Sequence, residues 1–176
     1  MPLDLNAEEI ESLDRNAQAT GSTLKKLLMH YNEDLGEGKT HVEINSKKAL
    51  EYQLRRIGGG KSLLILNVNA LNKDFTGETN HYVGLVIEPT IPASVQYIDP
   101  LGENISPVIK DFINDTIVGG ADISQYTSGL QYATGERDSR SMLVYLMTKA
   151  AHNQELPIYY LRQKIKLKNL KLLDVD

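Results

Sequence analysis

The 176-residue sequence contains no cysteine and no tryptophan. Without cysteine it can form neither a disulfide bond nor a thiolate metal site. Long apolar runs are also missing, because no stretch approaches the ~18 to 20 apolar residues of a membrane-spanning helix. The start of the chain, MPLDLNAEEIESLD, is acidic and unlike a secretory signal. We therefore expect a cytoplasmic protein with no membrane partner.

An excess of positive charge is missing as well. The chain has 19 lysines and arginines against 23 aspartates and glutamates, which gives a net charge of −4. Nucleic acids are bound largely through clustered basic side chains, so we expect no nucleic-acid partner. What remains is the composition of a globular domain, 41% hydrophobic and 24% charged.

The length predicts a single domain over residues 1–176. Within it, apolar spacing separates a helical N-terminal part, residues 1–60, from a catalytic-type core, residues 61–152, and a C-terminal element, residues 153–176. Helices are predicted at residues 7–32, 47–57, 105–117 and 139–152, and strands at residues 62–71, 81–88, 94–99 and 122–126. Residues 33–41 are predicted to form a loop, and Ser106 to cap its helix. This order indicates an α+β domain with a central mixed or antiparallel sheet flanked by helices.

Glycine and histidine patterns predict no cofactor or metal site. GGGKS, residues 58–62, ends like a phosphate-binding loop, but the motif needs glycine where Arg55 stands and should precede a helix rather than a strand. The four histidines contain no pair at a metal-binding spacing. We expect no bound nucleotide, metal or other cofactor.

Two residues at neighbouring strand ends indicate catalytic chemistry. His81 opens the strand HYVGLVIE, and Asp99 ends the strand SVQYID. In an antiparallel pair, the start of one strand lies beside the end of the other, which would bring imidazole and carboxylate together. These are the base and the orienting group of a catalytic triad. Taken separately, each residue is more typical of a surface loop.

Ser139 begins the predicted helix after a polar turn. A helix N-terminus carries free N–H groups and a partial positive charge, which favour an anionic nucleophile and stabilise an oxyanion. Serine is also among the commonest helix caps. The position therefore fits a nucleophile as well as a cap.

The order of these motifs resembles the CE clan of cysteine peptidases. That clan includes the proteases of ubiquitin-like proteins, the adenovirus endopeptidase and deubiquitinase effectors of intracellular bacteria. The matching stretches are HYVGLVI (81–87), YIDPLG (97–102), GLQ (129–131) and DSRS (138–141). The resemblance runs from residue 62 to about residue 150 and implies the papain-like fold of that clan. It also implies His81 as general base, Asp99 as its orienting carboxylate and Gln131 as the oxyanion-hole side chain, with Gln125 as a substitute for Gln131.

Two residues depart from the pattern of the clan: Ser139 stands at the cysteine position and Arg140 at the position of the usual glycine. A thiol is readily held as a thiolate beside an imidazolium, whereas a hydroxyl must lose its proton during attack. The resemblance therefore implies an isopeptidase scaffold for ubiquitin or a ubiquitin-like protein, with little or no turnover as written. The protein is active only if Ser139 is an engineered replacement of a cysteine, or if Ser139 itself works as the nucleophile.

Two alternatives remain open. The first alternative to an isopeptidase is a natural pseudopeptidase that binds a ubiquitin-like or other protein. The second is an effector acetyltransferase of the same fold. Members of the acetyltransferase branch usually have glutamate where this sequence has Asp99. In each case the expected partner is a protein, and a bacterial effector would act in the host cytosol.

Overall fold

The computed structural model describes residues 25, 28–35, 39–72, 80–100, 102–126 and 139–156, with the backbone alone at residues 139–142. Its main elements are β1 (Lys39–Ile44), α1 (Lys47–Leu54), β2 (Ser62–Asn67), β3 (Tyr82–Glu88), β4 (Ala93–Ile98), α2 (Pro107–Thr116), β5 (Ala121–Tyr126) and α3 (Ser139–Ala151). Residues 28–31 are also helical, and short 3₁₀ turns follow at Glu33–Leu35 and Val68–Leu71.

The five strands form one mixed sheet in the order β1-β2-β3-β4-β5. The two outer pairs are parallel, and the two pairs that contain β3 are antiparallel. Parallel neighbours need a crossover connection, which α1 supplies between β1 and β2 and α2 supplies between β4 and β5. The predicted α+β class is confirmed, and the sheet is mixed rather than antiparallel.

Helices cover both faces of the sheet, which explains the nearly continuous apolar runs in its central strands. All six residues of β2 are buried. In β3, Val83, Leu85 and Ile87 pack on the side of α1 and α2, whereas Val86 packs on the side of α3. Two hydrophobic cores therefore sandwich the sheet.

Gly84 allows α3 to lie directly on β3. A Cβ atom at this position would lie 2.6 Å from Met147 Sδ and 3.2 Å from Leu143 Cδ2. A side chain here would therefore force the helix or the Met147 side chain to move. The glycine thus fixes a close contact between α3 and the centre of the sheet.

Serine caps begin two of the helices. Ser46 Oγ accepts a hydrogen bond from the backbone N–H of Ala49 at 3.0 Å, and Ser106 Oγ accepts one from Ile109 at 3.2 Å. Pro107 occupies the first turn of α2, where no intrahelical N–H bond is lost. The predicted cap at Ser106 is confirmed.

The loop predicted at residues 33–41 is partly wrong, because β1 begins at Lys39. Its sequence, KTHVEI, lacks a regular apolar alternation, and the strand lies at an edge of the sheet. The strand predicted at residues 62–71 ends at Asn67 and continues as a 3₁₀ turn. Most of the helix predicted at residues 7–32, and everything from residue 157 onward, lies outside the described residues.

Among the described residues, no helix has the length and apolar character needed to cross a membrane.

Candidate functional site

The antiparallel pairing of β3 and β4 brings His81 and Asp99 together. Gly84 pairs with Ile98, so the residue before β3 and the residue after β4 meet at the same end of the two strands. His81 Nε2 lies 2.9 Å from Asp99 Oδ2. The Asp99 side chain is 2% exposed and that of His81 is 17% exposed, so the carboxylate is buried behind an imidazole that reaches the surface.

Asn67 holds the backbone of His81 from the neighbouring strand. Its Oδ1 accepts a hydrogen bond from the His81 N–H at 3.3 Å, and its Nδ2 donates to Asn80 Oδ1 at 2.8 Å. The carbonyl of His81 in turn accepts a hydrogen bond from the N–H of Val68 at 2.9 Å. Asn67 was not predicted from the sequence, although a polar residue that ends a largely apolar strand is a signal for it.

The local electrostatics favour a charged imidazole. The hydrogen bond to Asp99 raises the pKa of His81 above its usual value. Burial opposes this rise, and the negative charges of Asp99 and Glu103 add to it. Burial first, and then the same two carboxylates, also raise the pKa of Tyr97 well above its usual range, so its phenol stays neutral.

The contact with Asp99 determines which nitrogen of His81 can act as a base. An ionised carboxylate only accepts hydrogen bonds, so the nitrogen that faces it, Nε2, carries a proton. In the neutral imidazole, Nδ1 is then the nitrogen that takes a proton from another group. This is the role that an orienting carboxylate has in a catalytic triad.

A second carboxylate, which the sequence reasoning also missed, lies near the pair. His81, Asp99 and Glu103 each have one nitrogen or carboxylate oxygen within 4.8 Å of those of the other two residues. Glu103 is exposed. A turn returns the chain toward His81, because the N–H of Gly102 donates to the carbonyl of Asp99 at 2.8 Å. Gly102 has a φ of +75°, a conformation that glycine adopts without strain.

Gln125 holds the loop that carries Glu103. Its Oε1 accepts a hydrogen bond from the Ile105 N–H at 2.9 Å, and its Nε2 donates to Asn104 Oδ1 at 3.1 Å. Both ends of the amide are therefore engaged in loop contacts, which argues against Gln125 as the oxyanion-hole substitute. Gln131, the first choice for that role, lies outside the described residues.

Contacts at the far end of α3 give the direction of the helix. Lys61 Nζ forms a salt bridge with Glu88, the last residue of β3, and donates to the carbonyl of Ala151, the last residue of α3. Helix α3 and strand β3 therefore end at the same end of the sheet. The 13 residues of α3 rise about 20 Å, close to the length of about 23 Å for the seven residues of β3. The start of α3, Ser139, thus lies toward the end of the sheet that carries His81, although its side chain is outside the described residues.

This mixed sheet flanked by helices is the papain-like fold of the CE-clan peptidases. Among solved structures, the pS273R protease of ASFV has a TM-score of 0.52 to this chain, with 8% identity over 88% of this chain and 64% of its own. No protein-family model and no curated protein matches the sequence.

Two further structures share this likeness. HopZ1a, in complex with IP6 and CoA, has a TM-score of 0.49 and 14% identity over 80% of this chain and 43% of its own. The Legionella pneumophila effector RavZ, residues 1–487, has a TM-score of 0.37 and 15% identity over 78% of this chain and 47% of its own. The chain therefore spans less than two thirds of each of these proteins. At such low identity the likeness concerns the fold alone.

Proposed function

We propose that this chain is a peptidase scaffold of the CE clan for ubiquitin or a ubiquitin-like protein, in which Ser139 stands at the nucleophile position. The observation that carries the proposal is the 2.9 Å hydrogen bond between His81 and the buried Asp99. The direction of α3 supports it, because the helix start lies at the same end of the sheet. As written, the chain is expected to have little or no turnover.

The pair of His81 and Asp99 suits acyl transfer by a thiolate, which we propose for position 139. The sulfur would attack the carbonyl carbon of an isopeptide bond, and the imidazolium of His81 would give its proton to the leaving amine as the C–N bond breaks. Water, deprotonated by the neutral imidazole, would then release the acyl group and restore the thiol. Asp99 would keep the ring oriented and stabilise its charged form throughout.

A serine at this position removes the first step. The raised pKa of His81 favours an imidazolium, which suits an ion pair with a thiolate. A serine hydroxyl instead requires a neutral imidazole that takes its proton during attack. A hydroxyl at position 139 is therefore expected to react far more slowly than a thiol at the same position.

The test is a comparison of the chain with its Ser139→Cys form, each incubated with ubiquitin and SUMO that carry a C-terminal electrophile. We expect covalent labelling of the Ser139→Cys form alone, read by mass spectrometry. Adding His81→Ala to that form should reduce the labelling rate by at least about 100-fold, because the base contributes roughly 10² to 10⁴ in such reactions. Asp111→Asn on the exposed face of α2 serves as the matched surface control.

Each other result contradicts part of the proposal. Binding of a modifier without labelling of the Ser139→Cys form would favour a pseudopeptidase that acts as a binding module. Transfer of an acetyl group from acetyl-CoA to the Ser139→Cys form would favour the acetyltransferase. If the chain neither binds ubiquitin or SUMO nor is labelled by them, both are rejected as partners.

A further inference from the structure

The candidate site contains a set of side chains that the proposed peptidase reaction does not need in full. Glu103 adds a second carboxylate beside the pair of His81 and Asp99, and ligand atoms from all three lie within 4.8 Å of one another. The three residues come from a strand start, a strand end and a loop, so their spacing in the sequence predicts no metal site. We propose that they form a binding site for a divalent transition-metal cation of the Zn²⁺ class.

The donor set suits this kind of ion. One imidazole nitrogen and two carboxylate oxygens are ligands that Zn²⁺ binds readily, whereas Ca²⁺ and Mg²⁺ prefer oxygen alone. Three protein ligands leave a fourth, tetrahedral position for water or another small ligand. The chain has no cysteine, so no thiolate competes for the ion.

The distances require only small movements. With metal–ligand bonds of about 2.1 Å, two ligands of a tetrahedral ion lie roughly 3.4 Å apart. His81 Nε2 and Asp99 Oδ2 are 2.9 Å apart, so once the ion displaces the proton on Nε2 this pair would open by about 0.5 Å. Glu103 is exposed and its side chain can close the remaining gap without displacing core atoms.

The backbone around the three ligands is already fixed. Asn67 holds the main chain of His81, and the burial of Asp99 fixes its carboxylate. Gln125 anchors the two residues that follow Glu103, and the turn at Gly102 closes the other side of the loop. Prearranged ligands lower the entropy that binding must overcome.

A bound cation would compete with the proposed reaction. Coordination occupies a lone pair of the imidazole, so His81 could no longer shuttle a proton. This inhibitory effect rests on the proposed function, whereas binding of the ion does not. Binding is therefore measured without a substrate.

The experiment is a titration of the tag-free, chelator-treated chain with Zn²⁺, followed by calorimetry. We expect one ion per chain, loss of that binding in His81→Ala, and at least about tenfold weaker binding in Glu103→Gln, since even outer groups of metal sites contribute 10- to 100-fold. In parallel, the ring signals of His81 in NMR spectra should shift with Zn²⁺. His30→Ala and Asp111→Asn, which change an exposed histidine and an exposed acid elsewhere, should bind as the parent does.

Equal Zn²⁺ affinity in the parent and in His81→Ala would overturn the proposal, as would an absence of binding at millimolar Zn²⁺. Unchanged affinity in Glu103→Gln would also overturn it, because two ligands alone do not form the proposed site. Circular dichroism of each variant checks that the fold is retained. Labelling of the Ser139→Cys form is tested separately in the presence of chelator, so failure of the peptidase proposal and failure of the metal proposal are distinguishable.

Discussion

At the scale of single residues, the charge of His81 depends on its neighbours in a definite order. The hydrogen bond to Asp99 has the largest effect on its pKa, and the charge of Glu103 has the smallest of those that raise it. Burial works in the opposite direction. The charged form of His81 is therefore favoured relative to that of an ordinary histidine.

This order predicts the response of the His81 pKa to substitution. In chelator-containing buffer, the parent should titrate above the ordinary histidine value of 6.5. Asp99→Asn should lower the pKa strongly, because the negative charge that strengthens the hydrogen bond is lost, and Glu103→Gln should lower it less. The measurement is an NMR titration of the imidazole ring. A pKa that does not change in Asp99→Asn would show that the 2.9 Å contact does not control the charge of His81.

At the scale of elements, some predictions could be made from local sequence and others could not. The strand pair that carries His81 and Asp99 follows from alternation and apolar content, and the cap at Ser106 from a short local signal. Strand β1 was missed because it is an edge strand without a regular apolar pattern, and it forms through parallel pairing with distant β2. The parts played by Asn67 and Gln125 depend on which elements the fold brings together, so no short window of sequence contains them.

The contact between β3 and α3 gives a prediction about packing. Gly84→Ala places a Cβ 2.6 Å from Met147 Sδ, so the helix or the methionine must move. Overpacking of this kind costs about 1 to 3 kcal/mol of unfolding free energy. Met147→Ala alone should cost roughly 2 to 5 kcal/mol through lost burial. Because the smaller side chain makes room for the new Cβ, the double variant should lose less than the sum of the two, as measured by urea denaturation. Additive losses would mean that the two side chains do not compete for space.

At the scale of the whole molecule, polar contacts tie residues 28–35 to the C-terminal end of α3 and to His152, which directly follows it. Asn32 Nδ2 donates to Thr148 Oγ1 at 3.3 Å. His152 Nε2 lies 2.8 and 3.0 Å from the two carboxylate oxygens of Asp34, and its Nδ1 donates to the carbonyl of Thr148 at 2.9 Å. Leu28 and Tyr31 add apolar contacts to the same core as α3. Segments far apart in the chain thus meet at the end of the helix opposite to Ser139.

The ion pair at this junction predicts a pH dependence of stability. The hydrogen bond from His152 lowers the pKa of Asp34 below its ordinary value of 3.8. A carboxylate whose folded pKa is lowered stabilises the fold above its unfolded pKa and loses that effect as the pH falls through the folded value. Asp34→Asn should therefore reduce stability at about pH 5, and its difference from the parent should shrink toward about pH 3. Urea denaturation at several pH values measures this difference. Asp122→Asn, at an exposed position of β5, is the control, and its stability difference from the parent should not shrink in this way. A stability difference for Asp34→Asn that stays constant with pH would show that the ion pair does not contribute to folding.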